Sequence, residues 1–323
     1  MRNILIASSL ALTLVSCGGG SGSSTPPQAV APAPAPNQTL TTLLGPTSDN
    51  PLLHAGGIAR DSSGNMYVSD LGRGTIIKLT ASGVVSQFAK FTADIGPLTF
   101  DGAGNLYGAS GTTIHKFATD GSSTLLVGSA GFGNVDGTAA VARFRAIRDI
   151  FATSDGTLYV TDNRTVRKVD PTGKVTTIAG HCDPIGEHDG DTICAVGPSV
   201  DGDAATARFT APGGIALDAQ GTLYIHDGAI RTVGLDGGVR TLQAGDAVSK
   251  SGRGGIARDP AGNIYLGSIA DNAVLKVTPG GSVTTLASAV GQTTSYDIFD
   301  VKYIDAHTLL VLTSNTVQLL TLP

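Results

Sequence analysis

From Gly56 onward one arrangement of apolar and polar positions recurs along the chain. The tetrads GNMY (Gly64 to Tyr67), GNLY (Gly104 to Tyr107), GTLY (Gly156 to Tyr159), GTLY (Gly221 to Tyr224) and GNIY (Gly262 to Tyr265) are its anchor, and HTLL (His307 to Leu310) takes the same place a sixth time. Before each tetrad stands a short apolar run: GGIARD, PLTFD, RDIFAT, GGIALD, GGIARD and FDVKYI. After each comes a run of near-alternating apolar residues: TIIKLT, TIHKFA, TVRKVD, AIRTVG, AVLKVT and TVQLLT. A further strand, VVSQFA, STLLVG, KVTTIAG, GVRTLQAG or SVTTLAS, follows in five units. Period-two patterning broken by Gly, Asp and Asn predicts four short antiparallel strands per unit and no helix.

One such sheet cannot bury both of its faces alone, so six units predict an all-β, six-bladed β-propeller. Residues 38 to 323 form the domain, 286 residues or about 48 per blade. The sixth unit lacks its outer strand. QTLTTLLG at Gln38 to Gly45 resembles KVTTIAG and GVRTLQAG, so the N-terminal strand is expected to complete blade six and close the ring.

The pattern P-x-G-I-A-x-D, then G-N-x-Y-V-x-D, I-R-K-V and G-x-V-T-T-x-A-G resembles the NHL-repeat family of six-bladed β-propellers across nearly all of residues 38 to 323. The blade linkers DGTAAVARF (Asp136 to Phe144) and DGDAATARF (Asp201 to Phe209) carry the same likeness. Some members are zinc lyases with a His from each of several blades, whereas His54, His115, His181, His188, His226 and His307 do not fall at equivalent positions. Gluconolactonase-type propellers hold Ca2+ with a Glu and two Asn, which have no match here. The fold hosts enzymes, receptors and scaffolds alike.

Composition changes the picture at the N-terminus. Glycine is 44 of 323 residues, about twice the usual ~7%, in keeping with frequent tight turns. Only Ile4 to Val15 forms a long apolar stretch, after one Arg and before small residues, which reads as a secretory signal over residues 1 to 16. Leu14-Val15-Ser16-Cys17 resembles the bacterial lipobox, which implies a diacylated Cys17. Residues 17 to 37, first Gly/Ser-rich and then Pro-rich, read as a tether from a membrane surface. Gly18 stands where lipoproteins retained in the inner membrane carry Asp, which implies the outer membrane. The net charge of −5 offers no basic field for a phosphate backbone, so nucleic acid is excluded as a partner.

Candidate chemistry falls in two places. The inter-blade insertions 129 to 143 and 181 to 211 flank blade three, and long loops on a rigid frame commonly bind. The second gathers His181, Asp183, Glu187, His188, Asp189 and Asp191, an oxygen-rich set suited to Ca2+ or another divalent metal, or else a solvated acidic loop. Cys182 and Cys194 form an even pair in a disulfide-permissive compartment, and a bridge there stabilises by roughly 3 kcal/mol. The inner strands supply the second place. Seven residues before each tetrad lie Gly57, Pro97, Asp149, Gly214, Gly255 and Asp300, so the two acids face each other across the axis from blades three and six. With Asp297, Arg145, Arg148 and Arg253 they furnish a polar channel mouth, or else bond a neighbouring blade's backbone. Asp70, Asp162 and Asp227 are expected to accept turn amides, and Phe144 and Phe209 to wedge between blades.

No catalytic set emerges. The reading is a lipid-anchored envelope propeller that binds an envelope protein or polysaccharide, with a metal-dependent lyase or hydrolase as the alternative.

Overall fold

The computed structural model describes residues 38–45, 52–128, 132–181, 184–188, 191–194, 197–243, 245, 248, 254–268, 272–288 and 298–322. Cys17, Cys182, Asp183, Asp189, Arg253 and Asp297 lie outside them.

Six four-stranded antiparallel sheets form the blades. Blade one is β2 (Ala55–Arg60), β3 (Met66–Asp70), β4 (Thr75–Leu79) and β5 (Val85–Lys90), and blade two is β6 (Leu98–Phe100), β7 (Leu106–Ser110), β8 (Thr113–Phe117) and β9 (Ser123–Val127). Blade three is β10 (Ile147–Ala152), β11 (Leu158–Asp162), β12 (Thr165–Val169) and β13 (Val175–Ala179). A hairpin of β14 (Pro184–His188) and β15 (Asp191–Cys194) precedes blade four, which is β16 (Ile215–Leu217), β17 (Leu223–His226), β18 (Ile230–Val233) and β19 (Val239–Gln243). Blade five is β20 (Ile256–Arg258), β21 (Ile264–Ser268), β22 (Ala273–Val277) and β23 (Val283–Ser288). Blade six joins β24 (Ile298–Asp305), β25 (Thr308–Thr313) and β26 (Val317–Thr321) to β1 (Leu40–Leu44).

The expected closure is present. Leu40 pairs with Leu320, Thr41 with Leu319, Thr42 with Gln318 and Leu44 with Val317. Leu44, Leu310, Leu312 and Val317 then pack against Ile58, Val68 and Ile77 of blade one, so the seam is a continuous apolar interface. Similar clusters lie between the other blades. Burial of these faces against neighbouring blades is what makes sheets of three to eight residues per strand stable.

The recurring tetrad has a local cause. In blade two, Asp101 Oδ1 accepts the amides of Ala103 and Asn105, while its Oδ2 accepts Asn105 Nδ2 and the Tyr107 hydroxyl. Asp61, Asp218 and Asp259 repeat this device around the same turn. Gly104 sits at φ 81°, a conformation that a side chain would strain, which fixes the glycine of the tetrad. One carboxylate thereby closes the turn between the first two strands and anchors the aromatic ring that packs between blades.

Because the first strand of each blade runs away from the inter-blade connection, the insertions lie at one end of the axis and the tetrad turns at the other. Both insertions end in a segment that folds back on itself and onto the outer strand of the blade that follows: Val135 bridges Arg143 and Gly137 bridges Val175 of β13, and Val200 bridges Arg208 and Gly202 bridges Val239 of β19. The second insertion is thus not only a loop, since it contains the β14–β15 hairpin with His188 opposite Asp191.

Candidate functional site

The two axial acids lie where the register places them, and the structure gives each a partner in the next blade. Asp149 Oδ1 accepts the Ile150 amide, and its Oδ2 accepts the amide of Ile215 in blade four, each at 2.9 Å. Asp300 Oδ1 accepts the Val301 amide at 2.9 Å, and the Ile58 amide of blade one also hydrogen-bonds this carboxylate. Each acid therefore staples two inner strands, three to four and six to one. This requires near contact between strands: a Cβ on Gly255 would fall on Asp300 Oδ1.

A third charge completes the cluster. Lys302 Nζ stands 3.0 Å from Asp300 Oδ2, and its side chain keeps 27% exposure. Burial pushes Asp149 up to about 6; Lys302 opposes that rise and Asp300 adds to it. Asp300 is raised by burial, again opposed by Lys302. Burial acts against the Lys302 charge, but Asp300 and Asp149 outweigh it and hold the ammonium above its ordinary pKa. Lys302 was not among the expected residues, although it follows Asp300 at i+2 and so shares its side of β24. Of the arginines considered instead, Arg148 is exposed, the Arg145 amide serves Asp162, and Arg253 lies outside the described residues.

Among the described residues the axis offers a divalent cation few ligands. Three of the four carboxylate oxygens accept a backbone amide, and the fourth, Asp300 Oδ2, faces the Lys302 ammonium. The other residues at that level are Gly57, Pro97, Gly214 and Gly255, which carry no side-chain donor atom for the six to eight oxygens Ca2+ takes. In the second insertion, His181 is exposed, and the side chains of Glu187, His188, Asp191 and Cys194 lie outside what is described, as do Asp183 and Asp189 altogether. Among the described residues no group of three His, Cys, Asp or Glu side chains is placed to hold a metal.

The remaining recurrent polar residues hold the frame. Asp162 accepts the amides of Arg145 and Ala146, Asp70 those of Leu53 and His54, and Asp227 those of Thr210 and Ala211. The amides belong to the linker entering the blade rather than to the adjacent turn. Sequence reading missed the two arginines that complete these sites. Arg167 is wholly buried, donates to the carbonyls of Arg143 and Val135, pairs with Asp162 at 3.2 Å and Asp136 at 2.7 Å, and lies 4.6 Å from the Phe144 ring centroid. Arg231 repeats the arrangement with Arg208, Val200, Asp227, Asp201 and Phe209. Phe144 packs with residues of blades two and three, and Phe209 with those of three and four, so both wedge between blades. His226, wholly buried, approaches Gly254 O at 3.3 Å in the place where Ser69 and Thr161 donate to Gly96 O and Gly213 O.

At the tetrad-turn end of the axis lies a cavity of about 260 Å³, lined by Arg60, Thr99, Phe100, Phe151, Lys302 and Tyr303 among others.

No protein-family model matches the chain, and no curated protein matches its sequence. Solved structures do resemble it. A gluconolactonase from Xanthomonas campestris aligns at a TM-score of 0.64 and 18% identity, over 88% of this chain and 89% of its own. Virginiamycin B lyase from Staphylococcus aureus aligns at 0.60 and 13%, over 89% and 100%. A calcium-binding regucalcin from Agrobacterium tumefaciens aligns at 0.59 and 17%, over 87% and 92%. At such identities the likeness is one of fold, and the chain is a six-bladed β-propeller.

Proposed function

We propose that this chain is an exported, lipid-anchored propeller of the NHL type that acts as a binding module at the bacterial cell envelope. The observation that carries this reading is the use made of its polar groups. The axial acids, Asp70, Asp162, Asp227 and the buried arginines all bond the frame to itself, which leaves the irregular surface of the insertions as the part of the propeller not committed to holding its blades together. The insertions at 129 to 143 and 181 to 211 then offer the irregular surface on which an envelope protein or polysaccharide docks. The acids of the second favour a cationic partner, or a polysaccharide bridged by Ca2+. Two variants test this. Cys17→Ala should release the protein from the membrane fraction, and a short Gly/Ser loop in place of 183 to 193 should keep the fold while losing the partner captured by the parent from envelope extracts. Membrane retention in the first or undiminished capture in the second overturns the corresponding half.

The names of the solved neighbours favour a second reading, a metal-dependent hydrolase or lyase. Such a centre would draw on the axial acids or on the acids and histidines of the second insertion. Metal analysis of the purified protein separates the two readings: a stoichiometric metal that survives dialysis supports the enzyme, and none supports the binding module.

A further inference from the structure

We propose that the cavity at the tetrad-turn end of the axis binds a small monocarboxylate with an apolar body, its carboxylate meeting Lys302 and Arg60. An ammonium carries three N–H donors, and Lys302 spends one on Asp300 Oδ2, its single hydrogen bond among the described residues. The other two belong to a part-exposed group on the cavity wall. Arg60, exposed at the end of β2 in the adjoining blade, makes no hydrogen bond or ion pair among the described residues and senses Asp305 only through its charge.

The rest of the lining decides the ligand class. Ile58, Leu98, Phe100, Ile150, Phe151 and Tyr303 form walls suited to a flat apolar body, and no acidic side chain lines the space. Charge-assisted hydrogen bonds in such a setting are stronger than those in water. Asp300 and Asp149 stand behind Lys302, so a dianion such as phosphate would meet repulsion that a monoanion largely escapes. The cavity opens opposite the insertions, so this site stands or falls separately from the envelope-partner reading.

Benzoate, benzyl alcohol and inorganic phosphate are the probes, titrated into the full-length chain by calorimetry or followed by ligand-observed NMR. Benzoate should bind about tenfold more tightly than benzyl alcohol, the equivalent of one charge-assisted contact, and phosphate should not compete. Lys302→Met should abolish the preference for the anion while leaving benzyl alcohol binding intact. Arg60→Gln, at an exposed position where folding is not at stake, should weaken benzoate several-fold without moving the melting temperature. The proposal is overturned if benzoate and benzyl alcohol bind alike, if benzoate fails to bind up to about 10 mM, or if phosphate displaces it. Should Lys302→Met not fold, Arg60→Gln decides alone, and unchanged benzoate affinity in that variant overturns the assignment.

Discussion

Replacing Arg167 with methionine should be among the most damaging single changes in the propeller. Methionine preserves much of the packing on Phe144 but removes the guanidinium. Its exposed partner Asp136 loses little, because its side chain is 41% exposed and still accepts the Thr177 amide and hydroxyl. Val135 O and Arg143 O each keep one amide donor from their mutual bridge. Asp162 has no such outlet: its side chain is wholly buried and would retain two amide donors but no counter-charge. Leaving one member of a buried ion pair behind costs about 3 to 5 kcal/mol, and at about 2 to 4 °C per kcal/mol in a domain of this size the melting temperature should fall by about 6 to 20 °C. The chain has no Trp, so urea unfolding is best followed by far-UV circular dichroism. Asp162→Asn in the Arg167→Met background should recover part of the loss, since the amide oxygen still accepts the linker amides without a charge to neutralise. The loss should also shrink as pH falls, because Asp162, already raised by burial, takes up a proton more readily without Arg167. A single-variant loss below about 1 kcal/mol, or strict additivity in the double variant, would refute the assignment of Asp162 as the stranded charge.

Deleting residues 38 to 45 should cost more than about 4 kcal/mol, because fully buried Leu44 and the whole β1–β26 ladder disappear; an unchanged melting temperature would contradict ring closure. Gly255→Ala drives a methyl onto Asp300 Oδ1 and should destabilise by roughly 1 to 3 kcal/mol, whereas Gly83→Ala, whose new Cβ meets nothing, should cost less despite its positive φ. Two buried groups set opposite pH dependences. His226, lowered by burial, contributes stability present above its unfolded pKa of about 6.5 and lost as pH falls below it. Asp149, raised to about 6, favours the native state below about 4 and loses that contribution as pH rises through 6. Urea midpoints for Asp149→Asn and for His226→Gln across this range should flatten the respective limbs, and parent-like profiles would remove these groups as the cause.

The blades were legible because the tetrad turns of blades one, two, four and five need the same residues: an Asp to accept the amides, a Gly at positive φ and a Tyr whose hydroxyl returns to the carboxylate. The closing strand was legible because blade six lacked an outer partner and one matching segment remained. Counting back from the tetrads locates Asp149 and Asp300, and strand alternation places Lys302 on the same side two residues on, whereas nearness in sequence and strand equivalence point to Arg145, Arg148 and Arg253. Arg167 and Arg231 escaped for another reason. Their partners Asp136 and Asp201 lie about thirty residues earlier, in linkers whose return onto the blade is a tertiary event. A signal did exist: third strands carry arginine at this place only in the two blades preceded by a DG–ARF linker. The metal-like cluster of the second insertion was read as a loop, and its backbone instead pairs as a hairpin.

The pairing of Leu40 with Leu320 has a consequence for the order of events during synthesis. The two residues are 280 positions apart, 320 less 40, whereas within blades one to five successive strands meet across short turns. Those five blades can gather as the chain lengthens, each on its predecessor, while β1 waits unpaired at the leading end for a partner made last. Closure is therefore a single long-range step that follows all the local ones. Until it occurs, the apolar flank of blade one has no cover from Leu310, Leu312 and Val317, and the nascent ring presents an open edge at both ends.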